Sequence, residues 1–424
     1  MPYKILSLDG GGSWIIVQLK CLAKMYPNET GRKILNRFDL VVANSGGSIV
    51  TAALAADLTP SEALQMITLQ ENRDAIFDKK PLFKIRKGAE IAPRYRTRSK
   101  LKGFKALFEK VSKIPGFAEK YMHELPNLEP AIKTQFLIIG FDYDRTRGVF
   151  FRSNWKSRGI SANIHQIATE MPKSYERVKL LEAVHASTNA PVSYFDEPAK
   201  VQYANENAPN VYHNFWDGAI AGYNNPALAG VTEAVVNGIS TTEIEILSIG
   251  TANGFLPVAL ENQNPPMQYE SDCLIVKQKI GSQVSDISKM AKSIISDPPD
   301  AASFISYVIL HPDLQTHTSY VRLNPLIQPI KNNGRWEVPK GYINMTGGNR
   351  EEALDMFRKI YELDMDATAQ DDIRLIELLT DEWLKNNIPN QGIRVDSDFK
   401  PIIGYGTYEE GARAWLDRAD GGIA

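Results

Sequence analysis

The side chain best placed to do chemistry is Ser45, which lies within the segment 41–48, VVANSGGS. An apolar run, residues 38–42, precedes it and an alanine-rich run, residues 49–56, follows it, so the pattern predicts a strand, a sharp turn and a helix. In such a turn the serine hydroxyl projects from the backbone, and the free N–H groups of the helix point toward it. The segment therefore predicts a serine nucleophile, although a serine before a helix also serves as an N-cap without any chemistry.

Two further turns carry groups that a serine nucleophile needs. Residues 3–8 read as a buried strand that ends at Asp9, after which three glycines allow backbone N–H groups to turn outward and hold an anion. Residues 211–216 read as another strand, which delivers a carboxylate at Asp217. Taken singly, the two features are also explained as an ordinary strand–helix turn and a surface Asp-Gly turn. The glycine loop lacks the spacing of a dinucleotide site and the Gly-Lys-Ser/Thr of a Walker A loop.

In an open α/β sheet the loops at the carboxyl ends of the strands form one crevice, so we expect these three turns to meet. Ser45 would then be the nucleophile and Asp217 the base, while the N–H groups of Gly10, Gly11 and Gly12 would hold the developing oxyanion. A Ser-His-Asp triad is the alternative, because His213 lies four residues before Asp217 on the same strand face. We favour the dyad, since the serine of an α/β-hydrolase follows several more strands than the two predicted here.

The elements that must position these groups are predicted from the apolar pattern. Strands are expected at residues 3–8, 38–42, 133–143, 148–152, 211–216, 244–249 and 320–323, and helices at 14–25, 49–56, 60–73, 174–185 and 227–236. The block from Ala186 to Pro191, with the following Tyr194 and Phe195, is expected to form the floor of a pocket. After about Met345 the apolar spacing becomes helical.

Length and composition limit the classes of protein. A chain of 424 residues allows two or three domains, or one large α/β domain with insertions, and 43% hydrophobic residues predict a large buried core. The net charge of −2 gives no whole-protein argument for binding a nucleic-acid polymer. Two cysteines cannot form a disulfide framework, and no run approaches the roughly 20 apolar residues of a membrane span. We therefore expect a cytoplasmic protein that contacts membranes peripherally when active.

Charge is unevenly distributed along the chain. Residues 79–105 contain eleven lysines or arginines and one acid, and the basic side chains include Lys84, Arg86, Lys87, Arg94, Arg96 and Arg98. This basic stretch is interpreted as a solvated loop, as a surface for anionic lipid headgroups or as a pocket for a phosphorylated regulator. From residue 350 to the end there are seventeen acids against nine bases. A contact between the two regions is an alternative to solvated helix faces.

The ordered set of motifs resembles the patatin-like phospholipases. The matching blocks are the D-G-G-G loop at residues 9–12, the strand and serine turn at 38–47, the small-residue block at 186–195 and the D-G-A turn at 217–219 followed by N-N-P. The resemblance covers roughly residues 3–325. Trp14 and Ile15 stand where the family has a basic residue and a glycine, and Ala43 stands where its serine motif begins with glycine.

This resemblance implies a three-layer α/β/α patatin-like domain at residues 1–330, in which residues 79–130 form a basic insertion or lid. A mostly helical extension is expected at 331–424. The implied activity is hydrolysis of fatty-acyl esters of phospholipids or lysophospholipids through an acyl-serine intermediate on the Ser45–Asp217 dyad, without a metal or organic cofactor. A homo-oligomer is also left open. Alternatives left open are a cyclic-nucleotide-activated effector that degrades membranes, a thioesterase or acyltransferase, and a non-catalytic binding protein in which Trp14 has replaced the basic residue.

Overall fold

The apolar runs assemble into a central mixed sheet. The computed structural model describes residues 2–80, 93–153, 178–191, 194–202, 212–277, 300–312, 319–394 and 401–419. Within these ranges the sheet has eight strands, namely β1 (Tyr3–Leu8), β2 (Leu40–Asn44), β3 (Gln135–Asp142), β4 (Arg147–Arg152), β5 (Ala199–Gln202), β6 (Tyr212–Asp217), β7 (Ile244–Ile249) and β8 (Tyr320–Leu323). Their order is β8-β7-β1-β2-β3-β6-β5, with β4 also paired to β3. Five neighbouring strands are parallel, namely β8, β7, β1, β2 and β3. Strands β4 and β6 run antiparallel to β3.

Helices and short strands surround the sheet. The α-helices are α1 (Ile15–Met25), α2 (Gly31–Leu35), α3 (Gly46–Ala55), α4 (Pro60–Thr68), α5 (Gln70–Ile76), α6 (Thr97–Val111), α7 (Leu180–Ser187), α8 (Ala227–Val236), α9 (Lys340–Met345), α10 (Arg350–Glu362), α11 (Gln370–Leu384) and α12 (Tyr408–Ala419), and residues 300–310 are also helical. Small sheets pair Asn253–Gly254 with Leu326–Ile327, Val258–Ala259 with Val276–Lys277, Arg335–Glu337 with both Gln268–Tyr269 and Ile330–Asn332, and Ile393–Arg394 with Pro401–Ile403. None of the helices in the described ranges is long and apolar enough to cross a bilayer.

Alternating side chains of the strands feed two separate cores. On β2, Val41 and Ala43 pack into a core with α1, α3 and the C-terminal helices, while Leu40 and Val42 pack into a second core with α8. This alternation follows from the two-residue period of a strand, which sends successive side chains to opposite faces. The sheet is thus covered on both sides, and the predicted three-layer α/β/α fold is confirmed.

The C-terminal helices complete the larger of the two cores. Trp383 and other buried residues of α11 belong to the same apolar cluster as α1 and α3. The Trp415 ring of α12 stacks on Phe38 with centroids 5.7 Å apart, and its Nε1 donates to the Tyr26 hydroxyl at 2.9 Å. The Lys20 ammonium of α1 also pairs with Asp381 at 2.6 Å. The C-terminal helices therefore share one apolar core with α1, α3 and the sheet.

The helix predicted over residues 60–73 is two helices. Leu69 has an extended conformation, with φ −73° and ψ 124°, and separates α4 from α5. The carbonyls of Ile67 and Thr68 at the break accept hydrogen bonds from the buried Arg73 guanidinium at 3.0 and 2.6 Å. These two bonds, from a side chain five and six residues further along the chain, stabilise the break. The predicted start of the helix is correct, and a capping box at Thr59 marks it, but the first helix ends at Thr68. The helix predicted at 174–185 is observed as α7, and residues 174–177 lie outside the described residues.

Candidate active site

Ser45 occupies a strained turn between β2 and α3. Its φ of 47° and ψ of −123° are rarely adopted by a residue with a side chain, and its hydroxyl does not cap α3. The turn approaches neighbouring backbone so closely that a Cβ on Gly47 would lie 2.3 Å from the Leu8 carbonyl oxygen. Small residues are therefore required after Ser45, and the helix-cap interpretation of this serine does not apply.

The Ser45 hydroxyl is near enough to the Asp217 carboxylate to lower the pKa of that carboxyl. One of its oxygens also accepts from Asn44 Nδ2 at 3.0 Å and from the Ala219 N–H at 2.9 Å. Asp217 is only 3% exposed, and this burial raises the pKa of its carboxyl, while the hydrogen bonds and the charge of Lys100 oppose the rise. The site thus couples a serine hydroxyl to a carboxylate made more basic by desolvation.

The direction of β6 explains how Asp217 reaches Ser45, and it differs from the expectation. We expected both residues to follow strands that end at the same edge of the sheet, but β6 runs antiparallel to β3. It pairs with only the last three residues of β3, and Asp217 lies opposite Gly140. Asn44 at the end of β2 lies opposite Ile139, one position away. Ser45 and Asp217 come close because β6, which runs in the opposite direction to β2 and β3, ends beside the position where β2 ends.

The glycine loop lies directly against the serine turn. A Cβ on Gly10 would lie 2.9 Å from the Ser45 Cβ, so a side chain there would displace the serine. The Gly10 N–H donates to the Asn224 carbonyl at 2.8 Å. One of the three N–H groups predicted to hold the oxyanion is therefore already engaged. Gly12 has φ 56° and lies beside both Ser45 and Gly46. The N–H groups of Gly11 and Gly12 are the remaining candidates for an oxyanion hole.

A buried ion pair holds the start of this loop. The two carboxylate oxygens of Asp9 accept from the Arg322 guanidinium of β8 at 2.9 and 2.5 Å, and both side chains are 4% exposed. Arg322 also donates to Ser248 Oγ at 2.7 Å. The aspartate that precedes the glycines is therefore an anchor for the loop, and its carboxylate is already engaged.

A small apolar cavity opens beside Ser45. Its volume is about 30 Å³, which has room for a water molecule but not for an acyl chain. The lining includes Gly12, Ser45, Ile49, Phe77, Lys100, Phe104, Thr188, Ala190, Tyr194, Phe195, Met365 and Asp366. Ala190, Tyr194 and Phe195 come from the small-residue block, which confirms the prediction that this block forms the floor of a pocket.

One wall of this cavity is the segment 364–368, which joins α10 to α11 and was not predicted as part of the site. The Met365 carbonyl accepts from the Ser13 N–H at 2.9 Å. The Asp366 carboxylate pairs with Arg94 at 3.0 Å and accepts from the Tyr95 hydroxyl at 2.6 Å. The acidic C-terminal region thus contacts the basic stretch, which is one of the two alternatives that the charge pattern left open.

The six basic residues predicted for lipid or regulator binding fall into two groups. Arg94, Arg96 and Arg98 pair with acids of this chain, and the partners of Arg96 and Arg98 are Asp78 at 3.5 Å and Glu197 at 2.7 Å. Lys84, Arg86 and Lys87 lie outside the described residues. Binding of lipid headgroups or of a nucleotide by these side chains stays a prediction.

Lys100 lines the cavity and was missed as a site residue, because it was counted only as one charge of the basic stretch. It is completely buried in α6. A signal was available, since Lys100, Phe104 and Phe108 follow one another at intervals of four, the spacing of one helix face. A lysine within an apolar stripe indicates a buried amine rather than a solvated charge.

The histidine alternative receives no geometric support. His213 is influenced by the charges of Arg145, Asp142 and Asp144, which surround the beginning of β6 and not its end at Asp217. His185 is buried in α7, and burial together with the charge of Lys100 lowers its pKa well below the usual range. The ionisable group beside the Ser45 hydroxyl is the Asp217 carboxylate.

A larger cavity, of about 210 Å³, lies on the other side of the glycine loop. It is lined by Asp9, Gly10 and Gly11 and by polar side chains from the ends of β7 and β8, but Ser45 does not line it. Its polar groups bond to one another, as Asn324 does to Gln391 at 2.6 Å and Gln391 to Asp300 at 2.5 Å. The smaller cavity is therefore the candidate active site.

Comparison with known proteins gives a family for this arrangement. A family model described as patatin-like phospholipase matches residues 6–231, just over half of the chain, and this range contains both Ser45 and Asp217. No curated protein matches the chain. Among solved structures, the crystal structure of VipD from Legionella pneumophila is similar, with 10% identity and a TM-score of 0.34 over 90% of this chain and 67% of that one.

Proposed function

The chain belongs to the patatin-like phospholipase family, and on that premise we propose that it hydrolyses acyl esters of phospholipids or lysophospholipids with Ser45 and Asp217 as its catalytic dyad. The observation that carries the proposal is the position of the buried Asp217 carboxylate beside the Ser45 hydroxyl, where it also accepts a hydrogen bond at 3.0 Å from Asn44, the residue before Ser45. A nucleophile on a strained turn, a base within hydrogen-bond reach and nearby backbone N–H groups are the parts that acyl transfer requires.

The first half of the reaction forms an acyl-serine. Asp217 takes the Ser45 proton as Oγ bonds to the ester carbonyl carbon, and the carbonyl π electrons move to oxygen. The N–H groups of Gly11 and Gly12 stabilise this oxyanion. When the C=O bond re-forms, the bond to the alcohol oxygen breaks, and the protonated Asp217 returns its proton to the leaving alcohol.

The second half releases the fatty acid. Asp217 takes a proton from water as the water oxygen bonds to the acyl carbon of the acyl-serine. The new tetrahedral intermediate collapses, the bond to Ser45 Oγ breaks and Oγ regains the proton from Asp217. A carboxylate is a weak base in water, and burial of Asp217 supports this role because it raises the pKa of the carboxyl.

The test is fatty-acid release from phospholipid and lysophospholipid micelles by the wild type, Ser45→Ala and Asp217→Ala. We expect each variant to lose roughly 10⁴-fold or more in kcat, as is typical when a nucleophile or its base is removed. Ser240→Ala and Asp272→Ala, both at exposed positions, should keep the wild-type rate. Wild-type rates in both dyad variants would overturn the proposal.

A further inference from the structure

Lys100 is fully buried, so water cannot solvate its amine. Its side chain is 0% exposed, so the ammonium does not reach water in the way that most partly buried lysines do. Nζ donates to Asn189 Oδ1 at 2.9 Å and lies 4.0 Å from the centre of the Phe195 ring. Burial of an amine is unfavourable without such partners, and a leucine at this position would fit the apolar stripe of α6 better. A role in packing alone does not explain it.

The amide that Lys100 contacts also holds the catalytic aspartate. Asn189 is fully buried, and its backbone carbonyl accepts the Asp217 N–H at 3.0 Å. Its Nδ2 donates to the Glu197 carbonyl at 2.9 Å. Through these bonds, a movement of the Asn189 side chain would be passed to the turn that carries Asp217.

We propose that Lys100 is a positioning residue, which holds Asp217 against Ser45 through Asn189 and whose charge supports the ionised form of that carboxylate. The inference rests on the proposed Ser45–Asp217 chemistry and adds a third residue to it. The position is reached from α6, an element of the predicted basic insertion. The predicted insertion therefore contributes a buried side chain to the wall of the cavity beside Ser45.

The charges around Lys100 define how the two ionisable groups influence each other. Asp217 at the end of β6 attracts the ammonium, and burial together with the Lys100 charge lowers the pKa of His185 in α7. Asp366 lines the same cavity and is paired with Arg94. Burial lowers the pKa of Lys100 well below its ordinary value, and the attraction of Asp217 opposes this. In return, the Lys100 charge lowers the pKa of Asp217, which burial raises.

The decisive variant is Lys100→Met, which keeps the unbranched four-atom stem of the side chain and removes the amine. We expect kcat for a soluble short-chain ester to fall about 10²-fold with KM changed less than about threefold, because a displaced base slows the chemical step. The acid limb of the kcat/KM profile should move to higher pH, since loss of the positive charge raises the pKa of Asp217. Lys102→Met, an exposed lysine of the same helix, is the matched control and should match the wild type in both respects.

Asn189→Ala tests the connection, and it remains informative if Lys100→Met does not fold. We expect a similar loss of kcat, and the double variant should lose little more than either single variant because both break one chain of contacts. Circular dichroism and thermal unfolding confirm folding of each variant. The inference is overturned if Lys100→Met keeps wild-type kcat, if its acid limb does not move, or if the two losses multiply. If one of these outcomes occurs and Ser45→Ala is inactive, only the role proposed for Lys100 is wrong. If Ser45→Ala is active, the proposed Ser45–Asp217 dyad is wrong.

Discussion

At the scale of single residues, burial of the Asp217 carboxylate favours its proposed role as a base but opposes folding with the carboxylate ionised. Hydrogen bonds from Asn44 and Ala219 favour the ionised form, as do the nearby Ser45 hydroxyl and the Lys100 charge, while burial opposes it and has the largest effect, so the pKa is raised. A base that is harder to ionise binds a proton more strongly, which suits proton transfer from a serine hydroxyl. The same property should lower the stability of the folded protein at neutral pH.

We therefore predict that Asp217→Asn inactivates the enzyme and stabilises the fold at pH 7. Because the folded-state pKa lies above the ordinary 3.8, the wild-type free energy of unfolding decreases as pH rises through the interval between these two values. Asparagine keeps the shape and has no such penalty. Urea unfolding at several pH values should show equal stabilities below this interval and a more stable variant above it.

Asp272→Asn is the control for this comparison, because its carboxyl is exposed and pairs with Lys277 at 2.8 Å on the surface. We expect stability to change by less than about 1 kcal/mol there, as is usual for surface ion pairs. An Asp217→Asn protein that is less stable than the wild type at pH 7 would show that the hydrogen bonds to the ionised carboxylate outweigh its burial.

At the scale of elements, the segment 364–368 decides how much space lies beside Ser45. Ser13 binds this segment at two points, through its N–H to Met365 and through Oγ to the Ala367 carbonyl at 2.6 Å. Tyr194 donates to the Asp364 carboxylate at 2.5 Å. A fatty acyl chain needs much more than the 30 Å³ available, so we expect binding of a long chain to displace part of the lining, and this segment forms one wall of it.

Weakening these contacts should therefore favour long acyl chains. We predict that Asp366→Ala raises kcat/KM for a long-chain ester roughly tenfold relative to an acetyl ester, because it removes the buried hydrogen bond from Tyr95, and bonds to charged groups contribute about 1.5 to 3 kcal/mol. The measurement is the ratio of kcat/KM for a series of p-nitrophenyl esters of increasing length.

The matched control is Asp355→Ala, which removes exposed ion pairs with Arg358 and Lys359 on α10, away from the cavity. It should leave the ratio between long and short esters unchanged. If Asp366→Ala also leaves that ratio unchanged, long chains enter by a route that does not involve this wall.

At the scale of the whole molecule, the C-terminal helices and the α/β layer share one core and should unfold together. Trp415 is 2% exposed and contacts Phe38, which lies two residues before the strand that leads to Ser45. We predict that Trp415→Ala lowers the free energy of unfolding by about 3 to 5 kcal/mol, as expected when a buried aromatic ring is removed. Loss of activity and loss of circular dichroism should follow the same thermal transition.

Leu260→Ala is the control, because this side chain is 55% exposed and its removal leaves no buried cavity. Its stability should stay within about 0.5 kcal/mol of the wild type. Two separate transitions in the Trp415→Ala protein, with activity retained after the first, would show that the extension is an independent unit.

The local features of this protein were determined by the sequence itself. The serine turn, the glycine loop and the capping boxes at Thr59 and Thr407 depend on neighbouring residues, since small side chains and hydroxyls set the backbone conformation within a few positions. The apolar pattern likewise predicted seven of the eight strands that the structure describes in the sheet, all but β5, whereas the helices on both faces were expected from the family resemblance.

The tertiary structure decided what these features contact. It set the antiparallel direction of β6, the use of the Gly10 N–H by Asn224, the burial of Lys100 and the position of residues 364–368 beside Ser45. Each of these joins residues far apart in the chain, and each exists because the whole core must be packed and its polar groups satisfied at once. A motif therefore predicts that Ser45 is placed to react, and only the assembled core determines which carboxylate, which lysine and which wall surround it.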